Sequence, residues 1–168
     1  MNKNYEIKCR VENYREIKDL IVRFKKFSYS TEKQTDIYYK VNAGRLKLRI
    51  INNRSGSLIF YNRDEQSNKR ISKYIISDTN CFSELDAILG KQFKVLVKVN
   101  KRREIYVYKN IRIHLDSIKE LGKFLEVEII YNNLASAKLQ MKEVISKLKL
   151  SKAGFIKNSY SDLLIKKF

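Results

Sequence analysis

Apolar residues recur along the chain with two different periods, and each period predicts one type of element. At three places the spacing is helical, which predicts helices over residues 17–27, 82–89 and 137–148. Residues 13–16 resemble a capping box at the start of the first helix, and Gly90 is the expected end of the second. The apolar stripe of each helix predicts packing against a core.

The second period is two, and it predicts strands with one apolar and one charged face. The pattern occurs over residues 5–11, 45–50, 95–107, 111–116 and 125–129. Such alternation usually indicates a sheet with its charged face in water. Like charges on one strand face repel each other, however, unless a counter-charge lies between them. The alternative is a closed barrel whose charged faces line a water-filled tunnel and whose apolar faces pack against helices. Both arrangements are α+β folds.

The chain length and composition predict one domain over residues 1–168. There is no proline, and the five glycines do not cluster into a linker. No run of 18 apolar residues is present, so we expect no membrane-spanning helix. The first residues lack the apolar core of a secretory signal, and the two cysteines, Cys9 and Cys81, form no paired motif. A cytoplasmic protein is the expectation.

The net charge points to anionic partners. Lys and Arg number 36 against 18 Asp and Glu, which leaves a formal charge of +18. A field of this sign attracts polyanions, so nucleic acid, nucleotides, polyphosphate and anionic membranes all remain open at this point.

The charged strand faces collect bases and acids that could share one site. Arg and Lys grip phosphoryl oxygens, and clustered carboxylates hold Mg²⁺ or Mn²⁺. An enclosed site that holds both the bases and the carboxylates suits phosphoryl or nucleotidyl transfer. The candidate bases are Lys8, Arg10, Lys47, Arg49, Arg63, Lys101, Arg103 and Arg112, and the candidate acids are Glu6, Asp116, Glu126 and Glu128. Their formal sum is +4, against about −4 for a triphosphate.

Six stretches in order resemble motifs of the CYTH superfamily, the triphosphate tunnel enzymes, which include class IV adenylyl cyclases, thiamine triphosphatases and inorganic triphosphatases. Each stretch alone is a weak signal, but six in order are specific and cover nearly the whole chain. They are EIKCR at 6–10, QTDIYY at 34–39 with GRLKLR at 44–49, YNRD at 61–64, VNKRR at 99–103, HLD at 114–116 with LGKFLEVE at 121–128, and SYSDLL at 159–164.

The resemblance implies an eight-stranded antiparallel β-barrel open at both ends, with helices outside. It also implies a homodimer, a triphosphate substrate, and no membrane or nucleic-acid partner. By matching position, the metal-side residues would be Glu6, Asp116, Glu126 and Glu128. The phosphate-binding residues would be Arg10, Lys47, Arg49, Arg63, Lys101 and Arg103. Arg112 is assigned to the same group, mainly because it alternates with Asp116 along its strand. Glu6, Lys8 and Asp116 are the residues expected to act in catalysis.

One position departs from the motif of the family. The first strand of the family has the pattern E-x-E-x-K, whereas this chain has Lys8 at the second acid and Arg10 at the lysine. The site loses a carboxylate and gains a cation, so Lys8 could replace a second metal ion and contact phosphate itself.

Three functions follow in order of preference. The first is a metal-dependent class IV adenylyl cyclase that converts ATP to cyclic AMP and pyrophosphate, favoured by the resemblance of the last motif to that branch. The second is a triphosphatase acting on tripolyphosphate, thiamine triphosphate or a nucleotide. The third is a noncatalytic module that binds RNA or another polyanion, supported by the net charge and by Lys8.

Overall fold

The computed structural model describes the backbone of residues 2–63 and 71–167 and the side chains of residues 3–62 and 74–167. Within these residues it has eight strands and four α-helices. The strands are β1 (Asn2–Arg10), β2 (Ser28–Tyr39), β3 (Arg45–Ile51), β4 (Ser55–Arg63), β5 (Ile71–Thr79), β6 (Val95–Tyr108), β7 (Ile111–Ile118) and β8 (Gly122–Ile130). The helices are α1 (Tyr14–Phe24), α2 (Phe82–Gln92), α3 (Leu134–Lys147) and α4 (Tyr160–Ile165), and a short 3₁₀ turn spans Lys152–Gly154.

The strands close into a barrel. All neighbouring strands are antiparallel, in the order β1-β5-β4-β3-β2-β6-β7-β8, and β1 pairs with both β5 and β8. The shortest seam lies between β1 and β5, where pairing on β1 is limited to the first residues of the strand, Asn2 to Tyr5. The predicted eight-stranded antiparallel barrel is confirmed. Period-two alternation in every strand therefore sends one set of side chains into the bore and the other set outward.

The helices confirm the predicted stripes, with two differences at their ends: α1 ends at Phe24, so the predicted Phe27 lies beyond it, and α2 continues past Gly90. At the start of α1, the Asn13 side chain accepts a hydrogen bond from the Glu16 amide at 3.1 Å, as the capping motif predicts. Gly90 does not end α2: the helix runs on to Gln92, and the Phe93 amide donates to the Leu89 carbonyl at 2.8 Å. Intact hydrogen bonding outweighs the low helix propensity of one glycine. No helix in the described part of the chain is long and apolar enough to cross a membrane.

The outward faces of the barrel form two apolar layers under the helices. Strands β1, β7 and β8 pack against α1 and α3, with fully buried contacts that include Ile21, Ile113, Leu125 and Val144. On the other side, Leu48 of β3 and its neighbours pack against α2. The outer apolar faces of β1, β3, β7 and β8 are thus covered by helices, which leaves their charged faces to the interior.

The interior changes character along its axis. Close to α4 the inward side chains are apolar and buried, and α4 contributes Tyr160 and Leu164 to the same cluster. The cluster comprises Tyr38, Val99, Ile118, Phe124, Tyr160 and Leu164. The barrel is therefore filled at this end, in contrast to the expectation of two open ends, because a terminal helix supplies apolar side chains that cover it.

Candidate functional site: a charged cavity inside the barrel

Beyond the apolar cluster the bore opens into a cavity of about 190 Å³. Its charged lining within the described residues has six bases and four acids, a formal charge of +2. The charged residues are Lys8, Lys47, Arg49, Lys101, Arg103, Arg112, Glu6, Asp36, Glu126 and Glu128. Nine of these ten were predicted from the alternating faces. The charged faces therefore converge on an enclosed space instead of facing bulk solvent.

Asp36 of β2, which the sequence analysis did not assign to the site, organises three of the bases. Its Oδ2 accepts from Nζ of Lys47 at 2.9 Å and from Nζ of Lys101 at 3.1 Å. Arg49 adds two parallel bonds, Nε to Oδ1 at 2.7 Å and Nη2 to Oδ2 at 3.0 Å. The carboxylate is only 1% exposed. Burial by itself would raise the pKa of Asp36, but the three cations hold it well below its usual range.

A second ion-pair network joins Arg103 to two acids on β7 and β8. Arg103 binds Asp116 through Nε at 2.7 Å and Nη2 at 2.6 Å, and Nη2 also donates to Glu126 at 2.7 Å. Asp116 is fully buried and accepts a further bond from the Tyr160 hydroxyl at 2.7 Å. Both oxygens of Asp116 are thus used to hold Arg103 and Tyr160, and Asp116 is not among the described residues that line the cavity.

Lys8 takes part in the same network. Its Nζ lies 3.2 Å from Oε1 of Glu126, the residue directly across from it on β8. The ammonium also lies 4.1 Å from the centre of the Tyr160 ring, a cation–π contact. Burial would raise the pKa of Glu126, but Lys8, His114 and Arg103 hold it well below its usual range. The cation that replaces a carboxylate in the first motif is thus neutralised by Glu126.

Lys101 has an altered acid–base behaviour. Burial and the nearby Arg103 guanidinium lower the pKa of Lys101 to about 7, although Asp36 acts in the opposite direction. Its side chain is 2% exposed. Lys101 can therefore change its charge near neutral pH, which an exposed lysine does not do.

Three of the predicted metal-side acids line the cavity in adjacent positions. Glu6 on β1 lies opposite Glu128 on β8. Glu126 precedes Glu128 by two residues in β8 and lies on the same face. His114 of β7 lies opposite Glu126, and its Nδ1 is 3.8 Å from Oε2 of Glu126 and 3.9 Å from Oε1 of Glu128. Oxygen ligands on one wall are the set that a divalent cation needs.

The remaining predicted bases lie in different places. Arg112 is exposed and lines the cavity beside Glu128, its partner on β8. Arg10 is exposed at the end of β1, where Nη1 donates to the Leu121 carbonyl at 2.7 Å, and it is not among the described lining residues. The side chain of Arg63 lies outside the described residues. Face is set by alternation, but depth along the bore is not, which explains the position of Arg10 at the rim.

The helix α4 brings residues into the site from the far end of the chain. Ser159 and Tyr160 line the cavity, and the Tyr160 ring packs edge-on against Phe124 with ring centres 5.1 Å apart. Arg45 fixes the helix through Asp162, with Nη1 3.0 Å from Oδ1. This segment was recognisable as a motif in the sequence, but no role was predicted for Tyr160, because a six-residue helix carries no signal of where it docks.

The described side chains of β4 and β5 that line the cavity are uncharged. Ile59 and Tyr61 of β4 pair in register with Ile76 and Tyr74 of β5, and all four line the cavity. The cavity is therefore two-sided, with cations and acids across from an aromatic and aliphatic surface. This surface was not predicted, since tyrosines and isoleucines in strands more often only form strands.

The comparisons with known proteins agree with this architecture. The family model described as CYTH domain matches residues 2–160. Curated proteins give no match to the chain. Among solved structures, the PH1012 protein from Pyrococcus horikoshii OT3 superposes with a TM-score of 0.86 at 25% identity, over 97% of this chain and 99% of that one.

Two further structures share the fold at lower identity. A candidate adenylate cyclase from Vibrio parahaemolyticus matches with a TM-score of 0.79 at 19% identity, over 96% of this chain and 97% of that one. A candidate adenylyl cyclase from Hippeastrum, described as having a dominant triphosphatase activity, matches with a TM-score of 0.65 at 13% identity, over 99% of this chain and 96% of that one.

Proposed function

Since the chain belongs to the CYTH domain family, we propose that it is a metal-dependent enzyme that converts ATP to cyclic AMP and pyrophosphate in the barrel cavity. The two-sided cavity is the observation that carries the proposal. Cations on one wall match a triphosphate, and the Tyr61, Tyr74, Ile59 and Ile76 wall matches the flat apolar faces of a nucleoside. A polyphosphate without a nucleoside would leave this second wall unused.

The acids on the cavity wall fit a divalent cation, Mg²⁺ or Mn²⁺. Glu126 and Glu128 face the same space, Glu6 lies next to them, and the Nδ1 atom of His114 is directed between the two glutamates. When bound, the cation neutralises charge on phosphoryl oxygens. Asp116 is not a ligand of the cation in this proposal. It acts indirectly, because it holds Arg103, which donates to Glu126.

The cationic wall binds and orients the triphosphate. Lys47, Arg49 and Lys101 are held in place by Asp36 before any substrate arrives, so little reorganisation is needed when phosphate oxygens join them. Arg103 is fixed from behind by Asp116 and Lys8 by Glu126. Such fixed donors stabilise the negative charge on the oxygens around the phosphorus being attacked.

The reaction forms one bond to the α-phosphorus and breaks another. The ribose 3′-hydroxyl attacks in line, and its oxygen becomes part of the cyclic phosphate. The bond from the α-phosphorus to the oxygen that bridges to the β-phosphate breaks, and the hydroxyl proton ends on the pyrophosphate that is released. Lys8 and Glu6 lie on β1 where the metal-side acids and the phosphate-side bases meet. We therefore propose these two residues as the ones closest to the reacting phosphate.

A triphosphatase is the second candidate. It keeps the same cavity, but water attacks the terminal phosphorus instead of the 3′-hydroxyl attacking the α-phosphorus. The bond from the terminal phosphorus to its bridging oxygen breaks, and orthophosphate is released. Two observations favour it: the small cavity volume of about 190 Å³, and the triphosphatase activity described for the Hippeastrum protein of the same fold.

One product analysis separates the candidates. The purified protein is incubated with ATP and Mn²⁺ or Mg²⁺, and separately with tripolyphosphate, and the products are resolved by anion-exchange chromatography. Equal amounts of cyclic AMP and pyrophosphate are expected from ATP. Orthophosphate without cyclic AMP would instead support the triphosphatase. No turnover of either compound, together with RNA or polyphosphate binding, would support the noncatalytic module.

Matched variants test the two walls. Ile76→Ala should raise the KM for ATP by about 3- to 10-fold and leave turnover of tripolyphosphate unchanged, because it removes apolar contact surface only. Ile75→Ala is the control, since the neighbouring side chain is 58% exposed on the other face of β5.

Arg49→Ala should lower the affinity for both triphosphates, and Glu126→Ala should abolish metal-dependent turnover. Unchanged kinetics in Arg49→Ala and Glu126→Ala would overturn the site.

A further inference from the structure

The single histidine of the chain has an unusual position. His114 is 5% exposed, and within the described residues its Nδ1 has no hydrogen-bond partner. The nearest carboxylate oxygens belong to Glu126 and Glu128, at 3.8 and 3.9 Å. A buried imidazole nitrogen without a partner is costly, because it has lost its bonds to water and gained none in return.

The three side chains have the spacing of an ion site. One ligand atom from each of His114, Glu126 and Glu128 can be chosen so that all lie within 4.8 Å of one another. Two ligands each about 2.0 to 2.2 Å from one ion are at most about 4.4 Å apart. The two distances from Nδ1 already satisfy this limit. The two carboxylates therefore need to move only slightly toward each other to bind the same ion.

We propose that His114, Glu126 and Glu128 form a divalent metal site with one nitrogen and two oxygen ligands, which binds a first-row transition metal such as Mn²⁺ in preference to Mg²⁺. The inference rests on the proposed function only for what the ion does, since binding itself needs no triphosphate. It assigns His114 as the ligand that compensates for the carboxylate missing at Lys8.

The ligand chemistry explains the preference. Neutral imidazole suits Zn²⁺, Cu²⁺, Fe²⁺ and Ni²⁺, and in most sites Mn²⁺ accepts it more readily than Mg²⁺, which demands oxygen ligands. Glu126 keeps lone pairs for an ion while it accepts from Arg103 and pairs with Lys8, because an ionised carboxylate offers about four acceptor positions. Glu126 and Glu128 both line the cavity, so an ion can enter from the tunnel.

Nuclear magnetic resonance tests this proposal directly, since the chain has one histidine and its ring signals need no assignment. Untagged wild-type protein without triphosphate is titrated with MgCl₂, MnCl₂ or ZnCl₂. Mn²⁺ should broaden the ring signals at substoichiometric amounts, and Zn²⁺ should shift the Nδ1 resonance. The same concentrations of Mg²⁺ should leave both unchanged. Ring signals that do not respond to Mn²⁺ or Zn²⁺ would overturn the proposal.

Calorimetry on variants measures the selectivity. His114→Asn should weaken Mn²⁺ binding at least about 10-fold and Mg²⁺ binding less than about 3-fold. Glu128→Gln should weaken both, because it removes a ligand that either ion uses. Equal losses for both ions in His114→Asn would contradict a nitrogen ligand. If His114→Asn does not fold, as judged by circular dichroism, the wild-type titration decides alone.

The two proposals fail in different ways. Metal-dependent triphosphate turnover with silent histidine signals would refute the nitrogen ligand and leave the proposed function standing. Responsive histidine signals without turnover of ATP or tripolyphosphate would refute the function and leave the metal site standing.

Discussion

A single carboxylate sets the arrangement of the phosphate-binding wall. Asp36 accepts hydrogen bonds from Lys47, Arg49 and Lys101, and it stays ionised because their charges lower its pKa well below the usual range. Three cations this close would repel one another without it. The carboxylate thus keeps the wall intact in the absence of substrate, so the geometry needed for binding is present in advance.

The titration of Lys101 predicts a proton that is taken up with substrate. Because burial and Arg103 lower its pKa to about 7, the free protein holds Lys101 mostly neutral at pH 8.5 and charged at pH 5.5. A bound triphosphate favours the charged form and raises this pKa. Tripolyphosphate binding should therefore take up about one proton through Lys101 at pH 8.5 and almost none at pH 5.5.

Isothermal calorimetry in buffers of different ionisation enthalpy measures this uptake. The control is Lys101→Arg, which is charged at both pH values, so its difference from wild type removes the protons that belong to the triphosphate. Equal proton uptake in wild type and Lys101→Arg at pH 8.5 would contradict the prediction.

At the scale of elements, α4 needs contacts with the barrel for its stability, and the cavity in the barrel needs Tyr160 of α4 as part of its lining. A helix of six residues is not stable alone. It is held by its own capping box between Ser159 and Asp162, by the pair of Asp162 with Arg45, and by the bond from Tyr160 to Asp116. The segment that precedes it also joins β1, through the Ile156 amide and the Lys8 carbonyl at 2.7 Å.

Removing one hydroxyl group tests this coupling. Tyr160→Phe should lower the free energy of unfolding by about 1.5 to 3 kcal/mol, the range for a hydrogen bond to a charged group. The ring can still cover Lys8, so the variant should fold. Urea denaturation gives the value, and Tyr131→Phe, which lies outside the cavity, is the matched control. Equal losses of unfolding free energy in the two variants would show that the hydrogen bond to Asp116 adds no stability beyond that of a tyrosine hydroxyl outside the cavity.

At the scale of the whole molecule, the net charge is carried mostly outside the cavity. The chain has a formal charge of +18, whereas the described cavity lining has +2. The excess surrounds the barrel, and we expect this field to steer a triphosphate toward the cavity and to hold nucleic acid weakly. The homodimer suggested by the resemblance stays a prediction.

Salt dependence separates binding inside the cavity from binding on the surface. Binding of a single-stranded RNA should fall by about 1,000-fold between 50 and 200 mM NaCl, because surface contacts release counterions. Tripolyphosphate binding should fall less than about 10-fold, since buried charges are screened less. Fluorescence anisotropy and calorimetry give the two affinities.

The matched variants for this comparison are Arg49→Ala in the cavity and Lys138→Ala on α3. Arg49→Ala should weaken only the triphosphate, and Lys138→Ala should affect only RNA. RNA binding that survives 200 mM NaCl and is lost in Arg49→Ala would place nucleic acid in the cavity and refute the expectation of no nucleic-acid partner.

The sequence by itself determined which side chains share one face of a strand. Lys47 and Arg49, Lys101 and Arg103, and Glu126 with Glu128 are each two residues apart in a strand, and side chains at that spacing share a face whatever the rest of the chain does. The motifs added the closed eight-stranded barrel, which the strand pairing confirms. These features are local or carried by short patterns, so they could be predicted.

Only the tertiary structure decided which charges meet. Asp36 reaches Lys101 across a strand pair, Tyr160 arrives from the last helix, and His114 comes to lie beside Glu126 and Glu128. Arg10 shares a face with Glu6 and Lys8 but ends at the rim. Alternation fixes the face of a residue, whereas its depth in the bore and its partners follow from strand register and barrel closure, which join residues far apart in the chain.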